Sequence, residues 1–397
     1  MKPDCGVVLA AGEGTRLRPL TQNRPKPMLP AANRPILEHV LETLVEAGVG
    51  ELVVVVGYKR DRVQEHFGPT FRDVPIDYVV QDKQLGSGHA VLQARATVDG
   101  PVLVVNGDRV IEASMVEAVA RRFATTGSPA LALLEHPRAH EYGAVRLEGD
   151  RVVDLVERPA EGAFRLINAG IYAVDEALFD RLETTPRTDG ELGLTEALAA
   201  HIDGGGRLEG VVTEGLWADA TYPWDMLVLS RAVLEANRAS HAQTSPGVHV
   251  APSASVHETA VLEGPCVVGP DCEIGPGVAL GPNAALGRNA TVGANAIITD
   301  SLVDVDTRVG AGSTLIDCVT GQDVALGAGT TVAGGPAEIA FHDRVFHSAA
   351  LGAVFGDRAR AGGAVTAEPG ALVGPDATIE SGVVVGGQVP PGARVVR

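Results

Sequence analysis

Cysteine, lysine and long apolar runs are scarce in this chain, and each shortage closes off a class of protein. Only four cysteines occur in 397 residues (Cys5, Cys266, Cys272 and Cys318), with no Cys-x-x-Cys pair and no histidine spaced beside them as a zinc partner. A disulfide framework and a structural zinc site are therefore not expected, and the thiols read as small buried hydrophobes. No stretch reaches the roughly 18 apolar residues of a membrane span. The apolar run after MKPDCG is too short for a secretory signal, so the expected place of work is the cytoplasm, with no membrane partner.

Positive charge is also in deficit. Thirty-two basic against 50 acidic residues leave a net charge of -18, which excludes a general attraction to nucleic acid. Any polyanionic ligand must then meet a local cluster of cations. Only four of the basic residues are lysines, Lys2, Lys26, Lys59 and Lys83. This acidic, lysine-poor balance suits a salt-rich cytosol, and a GC-rich genome produces the same arginine bias.

What the chain does have is a hydrophobic content of 45%, enough to bury a core in each of two domains. Up to about residue 240, strand-like runs such as VVLAA (7–11), LVVVVG (52–57) and PVLVVNGD (101–108) alternate with helix-like segments such as PILEHVLETLVEAG (35–48). Apolar runs bounded by glycine or proline are the mark of parallel strands buried on both faces, and the alternation is that of an α/β sheet. NRASHAQTSPG (237–247) loses all periodicity, which places a domain junction there and divides the chain into 1–240 and 241–397.

Beyond it the period changes to six. Val250, Val256, Leu262, Val268, Ile274, Leu280, Leu286, Val292 and Ile298 follow one another at that spacing, several with glycine directly after. A hexapeptide repeat of this kind is a coil of short parallel strands, each sending one aliphatic inward. The frame slips by one before Val303, resumes at Leu326 and is interrupted by AGGPAEIAFHDRVFHSAAL (333–351), which reads as a loop leaving the coil.

The richest stretch of chemistry is VVLAAGEGTRLRPLTQNRPKPMLP (7–30). Ala10-Ala11-Gly12-Glu13-Gly14 puts bare backbone at the carboxyl edge of a sheet, where consecutive N–H groups cradle phosphate. The spacings of a P-loop and of the dinucleotide fingerprint are both absent. Arg16 follows closely, and Lys26 stands between two prolines that fix its path.

With QLGSGHA (84–90), VVNGD (104–108), EYGAV (141–145), VERP (156–159), NAGIY (168–172) and WADATYPWD (217–225) in order behind it, this stretch resembles the signature of sugar-1-phosphate nucleotidylyltransferases. The resemblance runs over nearly the whole chain and is similar to archaeal bifunctional nucleotidylyltransferase/acetyltransferases. It implies a Rossmann-like, mostly parallel α/β sheet followed by a left-handed parallel β-helix. The implied reaction is attack by a sugar 1-phosphate, of glucose or N-acetylglucosamine, on the α-phosphorus of UTP or dTTP, with release of pyrophosphate.

Such a reaction asks for positioning and charge neutralisation more than proton chemistry. The resemblance assigns Arg16 to the β and γ phosphates, Lys26 to the reacting phosphates, and Asp108 and Asp219 to a catalytic Mg²⁺. ADATYPWD departs from the usual DxGT pattern at Ala220. Ala10, Ala11, Gly12, Gly14, Gln81, Gly86 and Ser87 would contact the nucleotide, and Gln81 offers a donor and an acceptor to a pyrimidine edge. Gly143, Glu157 and Asn168 would read the sugar, and Arg158, where many relatives carry lysine, would meet its phosphate.

The β-helix of some relatives acetylates an amino sugar phosphate. Here Val305 and Arg308 stand where a histidine and tyrosine are expected, Gly334 replaces an asparagine, and the repeat region contains no lysine. His342 and His347 would have to supply a base instead. The favoured role is assembly, into a homotrimer or a multiple of it. A catalytically silent subunit that binds sugar nucleotides would lack Arg16, Lys26 or Asp108, and all three are present.

Overall fold

The structure, a computed structural model, describes residues 2–160, 162–341 and 344–396. The chain forms two compact units: residues 1–13, 25–28 and 36–217 make the first, and 14–24, 29–35 and 218–397 the second.

The first unit is built on a ten-stranded mixed sheet. Its heart is parallel: Cys5–Ala10 lies between Glu51–Val56 and Val102–Asn106, and Glu51–Val56 pairs onward with Val74–Val80. Leu166–Val174 runs antiparallel between Val102–Asn106 and Ala130–Glu135. The continuous apolar runs follow from burial on both faces. Val8, Val54 and Val105 pack into one core with the helices Ile36–Glu46 and Ala113–Thr126. Val7, Val53 and Val104 pack into the opposite core with Ser87–Ala94, Glu176–Thr184 and Leu194–Asp203. The helix read from 35–48 spans Ile36–Glu46, and Gly48 ends it at φ 82°.

In the second unit, the hexapeptide repeat folds as a parallel β-helix with three sheet faces. Three steps of six close one coil, so pairs fall 18 apart: Val250 with Val268, Val256 with Ile274, Leu262 with Leu280. The slip in the frame is two successive coils of 17: the first pairs Leu286 with Val303 and turns at Asp300, φ 45°, and the second pairs Val309 with Leu326 and Leu315 with Val332. The interruption is an antiparallel hairpin, Pro336–Phe341 with Arg344–Ala350, after which the coil resumes by pairing Cys318–Thr320 with Ala353–Phe355. Cys266, Cys272 and Cys318 line the interior as unpaired thiols. Burial pushes the Cys266 and Cys272 thiols up to about 11, so they are inert. No described helix is long and apolar enough to cross a membrane.

Candidate active site

The parallel registers bring distant motifs to one edge. Ala10 lies opposite Val56, Val56 opposite Val80, and Leu9 opposite Asn106. The residues that follow these strand ends, Ala11-Gly12, Gly57, Gln81 and Gly107-Asp108, therefore gather at the carboxyl end of the sheet, where open α/β sheets take ligands. Ala11 is buried and Gly12 exposed, and a Cβ added at Gly12 would meet nothing within 4 Å. Gly57 and Gly107 must be bare for the opposite reason. A Cβ there would come within 2.8 Å of the Ala11 carbonyl and 2.9 Å of the Leu9 carbonyl respectively. A cleft of about 530 Å³ opens beside this edge, lined by Glu13, Gly57, Tyr58, Arg60, Gln81 and Gln84 among others.

Lys26 reaches Asp108. It sits in the turn Lys26–Met28, its side chain only 11% exposed, and Nζ lies 2.8 Å from Asp108 Oδ2. Arg109 Nε stands 3.8 Å from Asp108 Oδ1, and its guanidinium lies 5.3 Å from the centre of the Trp217 ring. Burial alone would raise the Asp108 carboxyl, but Lys26 and Arg109 outweigh it and hold it below the usual carboxylate range. The anion is thus stable at neutrality.

Gln81 is almost wholly buried, and its amide nitrogen donates to the Gly86 carbonyl at 3.1 Å and lies 2.9 Å from His89 Nδ1. Burial, then Arg187, lowers the His89 pKa, so the ring stays neutral and Nδ1 accepts. Gly86 adopts φ 95° before the helix Ser87–Ala94, and a Cβ there would lie 2.4 Å from the Leu192 carbonyl. Ser87 Oγ accepts from Leu194 N–H at 3.0 Å, tying this turn to the next helix.

Gly143, Glu157 and Asn168 come together across antiparallel strands. Gly143 lies opposite Glu157, and a Cβ on Gly143 would sit 3.1 Å from Glu157 Oε2 and 3.7 Å from Asn168 Cβ. Asn168 is held by Tyr172, whose hydroxyl accepts from Nδ2 at 2.7 Å, and its carbonyl accepts from Arg109 at 3.4 Å. Arg109 so links this group to Asp108. Arg158 is exposed, at φ 46°, with Nε 3.9 Å from Glu157 Oε1.

Gly14, Arg16 and Asp219 belong to the second unit. Gly14 takes φ 67° and heads the turn Thr15–Leu17, on which Arg16 is exposed. Asp219 ends the strand Trp217–Asp219, with Oδ2 3.5 Å from Thr221 Oγ1, and Ala220 beside it is fully buried. On the hairpin, His347 Nδ1 lies 2.9 Å from Glu338 Oε2, and His342 lies outside the described residues. Among the described residues no cluster of three or more His, Cys, Asp or Glu is placed to hold a metal. Sequence reasoning passed over Arg109 and His89, although one follows NGD directly and the other stands inside QLGSGHA.

Residues 5–235 match the nucleotidyl transferase family, and residues 244–349 match the GMPPB C-terminal domain. The chain belongs to the nucleotidyl transferase family. A curated relative within reach is the bifunctional protein GlmU of Methanococcus maripaludis, 40% identical over 226 residues, 56% of this chain and 52% of that one. The UTP--glucose-1-phosphate uridylyltransferase AglF of Haloferax volcanii is 34% identical over 223 residues, 55% of this chain and 92% of that one. The chain thus spans about half the length of the GlmU relatives it matches. A solved UDP-glucose pyrophosphorylase in complex with UDP-glucose shares the family fold, with a TM-score of 0.54 at 24% identity over 59% of this chain and 99% of that one.

Proposed function

We propose that the protein transfers a nucleotidyl group from UTP or dTTP to a sugar 1-phosphate. The sugar phosphate oxygen bonds to the α-phosphorus, the bond from that phosphorus to the bridging oxygen breaks, and pyrophosphate leaves. The observation that carries the reading is Lys26, held 2.8 Å from Asp108 on the carboxyl edge of the sheet. A buried cation with its geometry fixed in advance stabilises charge that develops in the transition state.

Ala10, Ala11, Gly12 and Gly14 supply backbone to the nucleotide, with Gly86 and Ser87 shaping the base pocket. Gln81 accepts the ring N–H of uracil or thymine through its amide oxygen; cytosine has an acceptor at that place. Gly143, Glu157 and Asn168 take the sugar, Arg158 its phosphate, and Arg16 the departing phosphates. An ionised carboxylate beside phosphates suits a hard divalent cation, and Asp108 in the first unit and Asp219 in the second would each suit Mg²⁺, which adds charge neutralisation to that of the side chains. The base is narrowed by Gln81, while a single methyl separates UTP from dTTP by only about 1–3 kcal/mol. The likeness to AglF favours UTP with glucose 1-phosphate among the candidate pairs. The β-helix assembles copies of the chain, as a trimer or a multiple, and the place of work is the cytoplasm, where nucleoside triphosphates are supplied.

The test is pyrophosphate release from UTP and dTTP with glucose 1-phosphate or N-acetylglucosamine 1-phosphate. Lys26→Ala should lower kcat by about 10²–10³-fold, the cost of one stabilising donor. Near-normal turnover by that variant would sink the assignment. With glucosamine 1-phosphate, no consumption of acetyl-CoA is expected.

A further inference from the structure

Arg24, in the sequence QNRPKP, is buried in the second unit with its side chain 5% exposed. Its Nη2 lies 2.5 Å from Asp304 Oδ2 and 3.6 Å from Asp357 Oδ1, and both carboxylates are about as buried as it is. Those two acids come from different coils of the β-helix.

Asp304 breaks the repeat. Where an inward residue is followed by glycine in other coils, at Gly269, Gly287, Gly321, Gly356 and Gly374, the residue after Val303 is Asp304. Its neighbours break the repeat as well: Thr320 takes the inward slot paired with Phe355, and its hydroxyl accepts from Asp304 N–H at 2.9 Å. Asp304 Oδ1 accepts from Val305 N–H at 2.7 Å and Asp357 Oδ1 from Gln322 N–H at 2.9 Å. Gly321 must stay bare, because a Cβ there would lie 2.3 Å from Asp357 Oδ1. Asp304, Thr320 and Asp357, from three successive coils, thus build one polar socket beside an interior that keeps Val303 and Phe355, and the guanidinium fills it. Burial pushes the Asp304 carboxyl up, against the pull of Arg24, so the socket is costly without its cation.

From Arg24 the chain reaches Lys26 through Pro25 alone, and Pro27 follows. Proline fixes φ on both sides of the lysine, so a shift at Arg24 is carried to Lys26 with little slack. We infer that Arg24 is a positioning residue: the Asp304–Asp357 socket of the β-helix holds the segment that presents Lys26 to Asp108. Turnover then depends on a polar contact inside the repeat domain. This inference rests on the catalytic reading of Lys26.

The chain's lysine content makes a direct test practicable. Lys2, Lys59 and Lys83 are exposed and Lys26 is buried, so acylation of the intact protein by acetic anhydride, read by peptide mass spectrometry, reports on Lys26 against three internal controls. Two variants of the full chain are compared, Arg24→Lys and the combination Arg24→Met, Asp304→Asn, Asp357→Asn. The second removes all three charges while keeping their volume, which spares the fold an unpaired buried charge.

The neutral combination should melt cooperatively, label several-fold faster at Lys26 alone, and lose about tenfold or more in kcat, as misplacement of a reacting group does, with a smaller change in KM. Arg24→Lys should recover most of both properties. Unchanged labelling of Lys26 in a folded neutral variant overturns the proposal, whatever happens to kcat. Should Lys26→Ala itself turn over normally, the catalytic reading of Lys26 fails, and the labelling still decides whether the socket holds the segment.

Discussion

Asp108 is a carboxylate under two opposed influences, and the cations win. Because its folded pKa lies below the value of about 3.9 in an unfolded chain, its contribution to stability is present above that value and lost as pH falls through the folded one. No acid limb from Asp108 should therefore appear in the pH profile of kcat/KM between pH 5 and 8, a range of order set by the ordinary carboxylate titration. An acid limb centred there that vanishes in Asp108→Asn would contradict the pairing with Lys26. Gly86 offers a second test at this scale. At φ 95°, with a Cβ that would press on the Leu192 carbonyl, Gly86→Ala carries strain of about 1–3 kcal/mol and should lower the melting temperature as well as the affinity for the triphosphate. The glycines at the sheet edge and Asp108 could be picked out of the sequence as candidates because each belongs to a motif with a stated chemistry. Arg109 and His89 were not, since an arginine or histidine inside a motif shows its role only through what lies opposite: Asn168 and Asp108 for one, Gln81 for the other. For Gln81 the sequence offered both a donor and an acceptor, and only the fold shows the donor turned toward Gly86 and His89.

Among the elements, the hairpin Pro336–Phe341 and Arg344–Ala350 is the one that the repeat pattern registered only as a gap. A period of six identifies inward aliphatics and is silent about a segment that leaves the coil. The alternation over Pro336–Phe341, with Ala337, Ile339 and Phe341 buried and Pro336, Glu338 and Ala340 exposed, shows why the segment is a strand. Its aromatic end packs within the second unit against the segment that follows Asp219. Phe346 lies 4.6 Å from Tyr222 and 4.8 Å from Trp224, which are themselves stacked at 5.0 Å, and Phe341 meets both edge-on at 6.1 Å. Phe341→Ala empties the buried side of this cluster and should cost about 3 kcal/mol, measured by denaturant unfolding. If Asp219 is the metal ligand that the family resemblance implies, the same variant should raise the Mg²⁺ concentration needed for half-maximal turnover. Loss of stability with an unchanged Mg²⁺ requirement would confine the hairpin to a structural role. The coils of 17 were visible as a slip in the frame, but the polar socket beside them was not, because Asp304 at a glycine slot reads in the sequence as one irregular position.

For the whole molecule, charge and assembly are coupled. Each chain carries -18, so the copies that the proposed assembly would bring together repel one another, and it would need a face that is locally uncharged. One face of the β-helix meets that requirement. Along the sheet that includes Val261–Leu262, Ile297–Thr299 and Val384–Val385, the outward residues at Val261, Ile297 and Val384 are exposed apolar side chains, and between them stand Ala279, Thr314, Thr331 and Thr366. Apolar contact along this row would favour association, and the net charge would oppose it over a range set by the Debye length, about 10 Å at 0.1 M salt and about 3 Å at 1 M. Association should therefore strengthen with KCl. In light scattering coupled to size exclusion, the mass is expected to rise toward three times the 41.0 kDa of the chain as KCl increases. Ile297→Asp places a charge in the row without touching the interior, so it should hold the protein at the single-chain mass at every salt concentration while leaving the melting of the chain itself nearly unchanged. If Arg16 and Lys26 bind phosphate as proposed, the same salt weakens that attraction, and KM for the triphosphate should climb with KCl. A mass that is independent of salt and of Ile297→Asp would remove this face from the interface.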